Sequence, residues 1–189
     1  MASASPVSTP RTRFSARAAL REATADAHAR VDTAFGGFGL DDATTYRRFL
    51  QAQAAAFLPT EAALDGAQAD RVIADWPQRR RGALLEADLA TLGASAHPLP
   101  QPVLSTAATI CGAVYVLEGS RLGGAMLVRG VAADLPTAFL RAPAEPGAWR
   151  GLLDRLDTVL PDEATRAEAT QTALIIFDLF ARAAEATRG

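Results

Sequence analysis

Between Val103 and Val128 the chain runs without a proline through residues that favour helix, yet it sets Gly112, Gly119, Gly123 and Gly124 inside that run. Each interior glycine costs a helix about 1 kcal/mol relative to alanine. A total of about 3–4 kcal/mol is a large share of a domain's net stability, so something in the fold must offset it. At helical periodicity Gly112, Gly119 and Gly123 fall within about 20° of one line, with Gly124 beside it and Ser120 one turn before Gly124. Such a stripe has two uses. It lets a second helix backbone approach closely, or it lets a flat ligand lie against bare backbone on a helix able to bend. Geometry alone leaves both open.

Elsewhere alanine, leucine and arginine dominate, and alternating β-branched runs are nearly absent, which favours helix. The pattern predicts helices over about 15–32, 43–64 (capped by Asp41-Asp42), 76–92, 103–128, 149–159 and 162–186. Pro59 should kink or interrupt the second, Pro77 suits the first turn of the third, and Gly36-Gly37 stops the first. Residues 94–102 read as a loop, and a poorly patterned stretch with Pro136, Pro143 and Pro146 follows the long helix. Residues 1–12 are Ser-, Pro- and Ala-rich without apolar periodicity and read as a disordered leader lacking the apolar core of a secretory signal. The expectation is a single all-α domain over 13–189, with a cytoplasmic address.

Several chemistries are excluded at once. A net charge of −2 over 189 residues lacks the basic footprint of a non-specific nucleic-acid binder. No apolar run approaches the roughly 20 residues of a membrane helix. One cysteine, Cys111, and two histidines, His28 and His97, exclude an intrachain disulfide and a multi-histidine metal centre. All 19 basic side chains are arginine, so no lysine Schiff base can form. Arg79-Arg80-Arg81 reads as a solvated face, or as a docking point for an acidic electron donor. His97, beside Pro98 in a loop, reads as an ordinary exposed residue.

On the first helix, Arg21 lies two turns before His28 on the same stripe, about 10 Å along the axis. Thr24 and Asp32 sit one turn either side of His28. One reading is an inward-facing core histidine with a solvated arginine. The other is an axial metal ligand, with a cation placed for an acidic group on the same bound molecule.

Two segments carry a family resemblance. Leu20–His28 (LREATADAH) resembles the proximal helix of haem oxygenases, in which a histidine follows a leucine–basic–x–x–threonine pattern. Gly112–Gly124 (GAVYVLEGSRLGG) resembles the distal helix of the bacterial members, with its Y-V-x-E-G-S-x-L-G pattern. The resemblance implies a helical bundle with haem held between the proximal and the glycine-rich distal helix. It implies His28 as proximal iron ligand, Arg21 and Tyr115 on the haem propionates, and Gly119, Ser120, Gly123 and Gly124 over the other haem face. It further implies a haem oxygenase, opening haem to biliverdin, CO and ferrous iron with O2. Haem is then both cofactor and substrate. Electrons come from an external donor such as a ferredoxin or a flavoprotein reductase, and a bilin-binding photoreceptor is a candidate product acceptor. The catalytic residues implied are Gly119, Ser120 and Gly123, the glycines leaving the distal face clear and Ser120 anchoring water that delivers protons.

Ser120 stands where eukaryotic-type enzymes carry an aspartate, so the water network must be of the bacterial variety. A later propionate arginine of the family has two candidates, Arg150 and Arg155. Three other readings stand beside this one: a haem carrier or sensor without turnover, a thiaminase-like enzyme using Cys111 as nucleophile, and a bundle whose glycines only pack.

Overall fold

A computed structural model describes residues 15–188; the predicted leader, residues 1–12, lies outside them. Eight helices follow in order: α1 (Ala16–Ala23), α2 (Ala25–Phe35), α3 (Ala43–Gly66), α4 (Trp76–Arg79), α5 (Gly82–Thr91), α6 (Ala107–Leu127), α7 (Ala148–Val159) and α8 (Glu163–Arg188). No strand occurs among the described residues. The all-α expectation is met.

The long C-terminal helix α8 is the central post, packed by α6, α3, α2 and α1. Its buried stripe of Ala169, Thr172, Ala173, Ile176, Phe177, Phe180 and Ala184 repeats at helical spacing, as a helix covered along its length requires. Phe35, Phe38 and Phe49 join Phe180 in an aromatic cluster with centroid separations of 5.7 to 6.4 Å, in mostly tilted and edge-on pairs. Burying each large side chain contributes about 1.5–3 kcal/mol, so this cluster is one substantial part of a core that also holds Tyr46, Phe57, Leu85 and Leu156.

Local chemistry explains where helices begin and break. The Asp42 carboxylate accepts from the Thr44 and Thr45 amides at 3.0 and 2.9 Å and starts α3. Thr106 forms a reciprocal cap with Thr109 and starts α6 four residues later than the apolar pattern suggests. The single helix expected over 15–32 is two helices. Thr24 leaves helical geometry (φ −105°, ψ 3°), and its hydroxyl donates back to the Leu20 carbonyl at 2.7 Å. The helix expected over 76–92 is likewise split, with Arg80 extended at ψ 140°.

Pro59 does not interrupt α3. It lacks the N–H that would have used the Ala55 carbonyl, and the Leu99 amide of the following loop takes that carbonyl at 2.8 Å. The helix thereby keeps its acceptor satisfied and pins a loop to its flank.

Candidate haem site

The glycine stripe divides between the two uses left open for it. A Cβ on Gly112 would overlap the Ala169 carbonyl oxygen and sit 3.1 Å from the Thr172 Cβ, so this glycine permits the close crossing of α6 on α8. A Cβ on Gly124 would lie 3.4 Å from the side chain and carbonyl of Leu140, ordinary packing against a loop. Gly119 and Gly123 have nothing within 4 Å of that position. Their backbone faces open space. Leu122 and Met126, on the same side of α6, are exposed as well, Met126 by 72%.

His28 projects from α2, and its side chain is 61% exposed. That degree of exposure rules out the core-histidine reading. Its Nδ1 lies 2.9 Å from Asp32 Oδ2 one turn on, and its ring meets the edge of Phe177 on α8 at 5.7 Å. With Nδ1–H donated to the carboxylate, Nε2 keeps the free lone pair, the arrangement that orients and strengthens an imidazole ligand.

The two segments meet at Tyr115 and Thr24. The Tyr115 phenol lies against the Thr24 hydroxyl with Arg17 and Arg21 nearby; burial raises its pKa, and these three neighbours pull it back. Trp149 of α7 leans on its ring at 6.1 Å. His28 follows Thr24 by one turn and Gly119 follows Tyr115 by one turn, so each lies only about 6 Å along its own helix from that contact. Arg21 and Tyr115 are thus brought together, and Arg17 joins them unforeseen. Its only sequence signal is its place one turn before Arg21.

Ser120 is held from behind. Its hydroxyl donates to the Leu117 carbonyl at 2.7 Å and accepts from Arg81 Nη2 at 2.8 Å. The Arg79–Arg81 run is not a solvated face, because Arg79 and Arg81 are buried and only Arg80 is exposed. Arg79 Nη1 pairs with Glu118 at 2.8 Å, and Arg121 Nη2 with the other oxygen of the same carboxylate at 2.9 Å. Arg79 also donates to the Ala148 carbonyl and Arg121 to the Pro143 carbonyl, fixing the middle of α6 to the loop before α7. The burial also removes Arg79 and Arg81 as docking points for an electron donor.

Arg81 is 3% exposed, lies 4.9 Å from the centroids of both the Phe57 and Phe139 rings, and donates to the Leu117 carbonyl at 2.6 Å. Burial and the nearby Arg121 push its pKa down to about 9, against a partial pull upward from Glu118 and Glu61. It therefore stays charged at neutral pH.

Of the two candidate later arginines, Arg155 Nε donates to the Val72 carbonyl at 2.8 Å, and Arg150 is exposed. His97 is exposed, as expected of a loop residue. Cys111 is buried, and that burial pushes its thiol up to about 12, which removes the nucleophile a thiaminase-like reaction would need. Two surface grooves, of about 470 Å3 between α2 and α8 and about 480 Å3 beside α3 and α5, contain none of the predicted site residues. The first is lined mainly by charged side chains, among them Asp26, Arg30, Asp178 and Arg182, and the second mainly by apolar ones with Glu61, Asp65 and Glu86 among them.

No protein-family model matches the sequence. A haem oxygenase from Xanthomonas campestris pv. campestris (strain 8004) is 32% identical over 150 residues, which span 76% of this chain and 91% of that protein. The chain belongs to the haem oxygenase family. Two solved haem oxygenases share its fold. That of Neisseria meningitidis, known with NO and CO bound, superposes with a TM-score of 0.75 at 21% identity, covering 92% of each chain. That of Leptospira interrogans gives 0.72 at 18% identity, covering 92% of this chain and all of the other. As a member of this family the chain is expected to accept haem, and its residues fit one. An exposed imidazole with an oriented free nitrogen, two backbone positions without side chains, and a phenol flanked by guanidiniums are the kinds of group that would hold an iron, a flat ring and carboxylates. No helix among the described residues is long and apolar enough to cross a membrane.

Proposed function

We propose that this haem oxygenase opens haem to biliverdin, CO and ferrous iron in the cleft between α2 and α6. The observation that carries this reading is the pairing of an exposed, carboxylate-oriented His28 with the uncovered Gly119–Gly123 face one turn beyond the Tyr115–Thr24 contact. When bound, haem supplies both the iron that activates O2 and the ring that is oxidised.

The side chains divide the remaining work. His28 Nε2 would hold the haem iron, with Asp32 holding the opposite nitrogen and Phe177 limiting rotation of the imidazole. A neutral imidazole avoids the electron push that a thiolate gives towards O–O cleavage. Arg21, with Arg17 beside it, and the Tyr115 hydroxyl receive the two propionates through charge-assisted hydrogen bonds, which fix how the ring is turned in the cleft. Gly119 and Gly123 let the ring and its small ligand approach the α6 backbone, where any side chain would intrude. The Ser120 hydroxyl, its oxygen fixed between Arg81 and the Leu117 carbonyl, anchors the water that carries protons in, and no side chain acts as a direct acid. Gly124 packs α6 against Leu140, beside the face that Gly119 and Gly123 leave open. Electrons come from a ferredoxin or a flavoprotein reductase, and a bilin-binding photoreceptor is one acceptor for the product.

The test is reconstitution with haem, followed by a reductant under O2 and chromatography of the pigment. The reading expects loss of the haem band and recovery of biliverdin. A haem complex that survives reductant and O2 unchanged would refute it and leave a carrier or sensor.

A further inference from the structure

Arg81 is built in a way that a structural strut does not require. Its guanidinium is buried, one nitrogen, Nε, has no hydrogen-bond partner, and no carboxylate pairs with it among the described residues. Glu118 is shared between Arg79 and Arg121, and Glu61 is occupied by the backbone amides of Arg81 and Gly82. Removing a cation from water without a matching anion is strongly unfavourable, and the flanking rings of Phe57 and Phe139 return only part of that cost. An apolar side chain of similar length would fill the same slot with less strain on the fold. The charge is therefore retained for something outside the Arg81 pocket, and the one polar side chain its guanidinium reaches is Ser120, next to Gly119.

We propose that Arg81 is a positioning residue that locks the Ser120 hydroxyl to α6 and holds a fixed positive charge behind the open glycine face, so that this face favours anionic over neutral ligands on haem iron. The inference rests on the haem site argued above and assigns its electrostatic bias. A charge fixed in a desolvated site acts on a developing anion without reorganising, which is why its placement matters more than its distance from solvent would suggest.

The experiment measures fluoride affinity on the ferric proteins and CO affinity on the same proteins reduced with dithionite under argon, for wild type, Arg81→Met and Arg81→Lys, each reconstituted with haem, and records melting of the three apo-proteins. Fluoride is anionic and CO neutral, so their affinity ratio reports charge and cancels changes in access. The Arg81→Met ratio of fluoride to CO affinity should fall by about tenfold, while Arg81→Lys stays within about twofold of wild type. Apo Arg81→Met should melt no lower than wild type. A ratio that is the same in all three proteins overturns the proposal. So does an Arg81→Met protein that melts well below wild type or fails to fold, because the guanidinium is then a strut. A wild-type chain that takes up no haem refutes the site itself, an outcome distinct from either.

Discussion

Gly123→Ala and Gly112→Ala are the same chemical change on the same line of one helix, and the structure gives them opposite signs. At Gly123 the added methyl meets nothing within 4 Å, so only helix propensity acts, and the apo-protein should gain up to about 1 kcal/mol. At Gly112 the methyl overlaps the Ala169 carbonyl, which belongs to the backbone of α8 and cannot swing aside. Overpacking of this kind costs about 1–3 kcal/mol, more than the propensity gain returns. With a melting shift of about 2–4 °C per kcal/mol for a chain of this size, the two apo variants should melt roughly 5–10 °C apart, on opposite sides of wild type. Haem chemistry should rank them the other way. The Gly123 methyl projects into the cleft and should slow biliverdin formation by about tenfold or more, equivalent to about 1.4 kcal/mol of barrier. Differential scanning fluorimetry of the apo-proteins and single-turnover pigment formation, measured on the same preparations, decide the matter. A Gly123→Ala protein that melts below wild type and turns over normally would sink the distal-face assignment.

Four further variants have defined outcomes, three in the site and one at a helix cap. His28→Ala should keep the helical circular dichroism spectrum but abolish biliverdin formation, with partial rescue by added imidazole; Asp32→Asn should retain haem with an altered absorbance spectrum and slower turnover, and normal turnover in His28→Ala would remove the histidine from the site. Arg21→Glu places a like charge beside a propionate and should weaken haem binding by about 1–3 kcal/mol or change the biliverdin isomer mixture; an unchanged titration together with an unchanged isomer pattern would show that Arg21 only faces solvent. The Asp42 carboxylate is held below its ordinary value of 3.8 by the Thr45 amide at the start of α3, so its contribution is present above that value and lost as pH falls through the lower folded one. Asp42→Asn should therefore flatten part of the acid limb of a melting-temperature profile, and an unaltered limb would show that the cap carries no pH dependence.

Fold class and both helices of the site were legible in the sequence because they rest on local periodicity and on two short motifs. What escaped was decided by partners far along the chain. The break at Thr24 carries neither glycine nor proline, and the bond its hydroxyl makes back to the Leu20 carbonyl has a counterpart at Thr60 inside the unbroken α3, so no local signal marks it. The arginine run looked solvated because arginine is rarely buried without a partner. Arg79 has one carboxylate partner within reach of its own helical turn, Asp75, but the second, Glu118, lies 39 residues away, and the Ala148 carbonyl it also meets has no sequence signature. The glycine line was correct as arithmetic, but periodicity cannot say that α8 covers Gly112 and stops short of Gly119 and Gly123. Exposure of His28 was equally hidden, since a helix stripe does not reveal whether the surface it faces is filled.

Pro59 transfers one hydrogen-bond acceptor from a helix to a loop, and this leaves a kinetic mark. The Leu99 amide sits in a stretch with no regular structure, yet it is bonded to a carbonyl inside α3. Its hydrogen exchange with solvent should be slow, tied to opening of α3 itself, while exposed neighbours such as His97 and Gln101 exchange freely. Restoring an N–H at position 59 would set two donors in competition for the Ala55 carbonyl. The helix would win by proximity, and the stretch around Leu99 would then open on its own, without the rest of the domain.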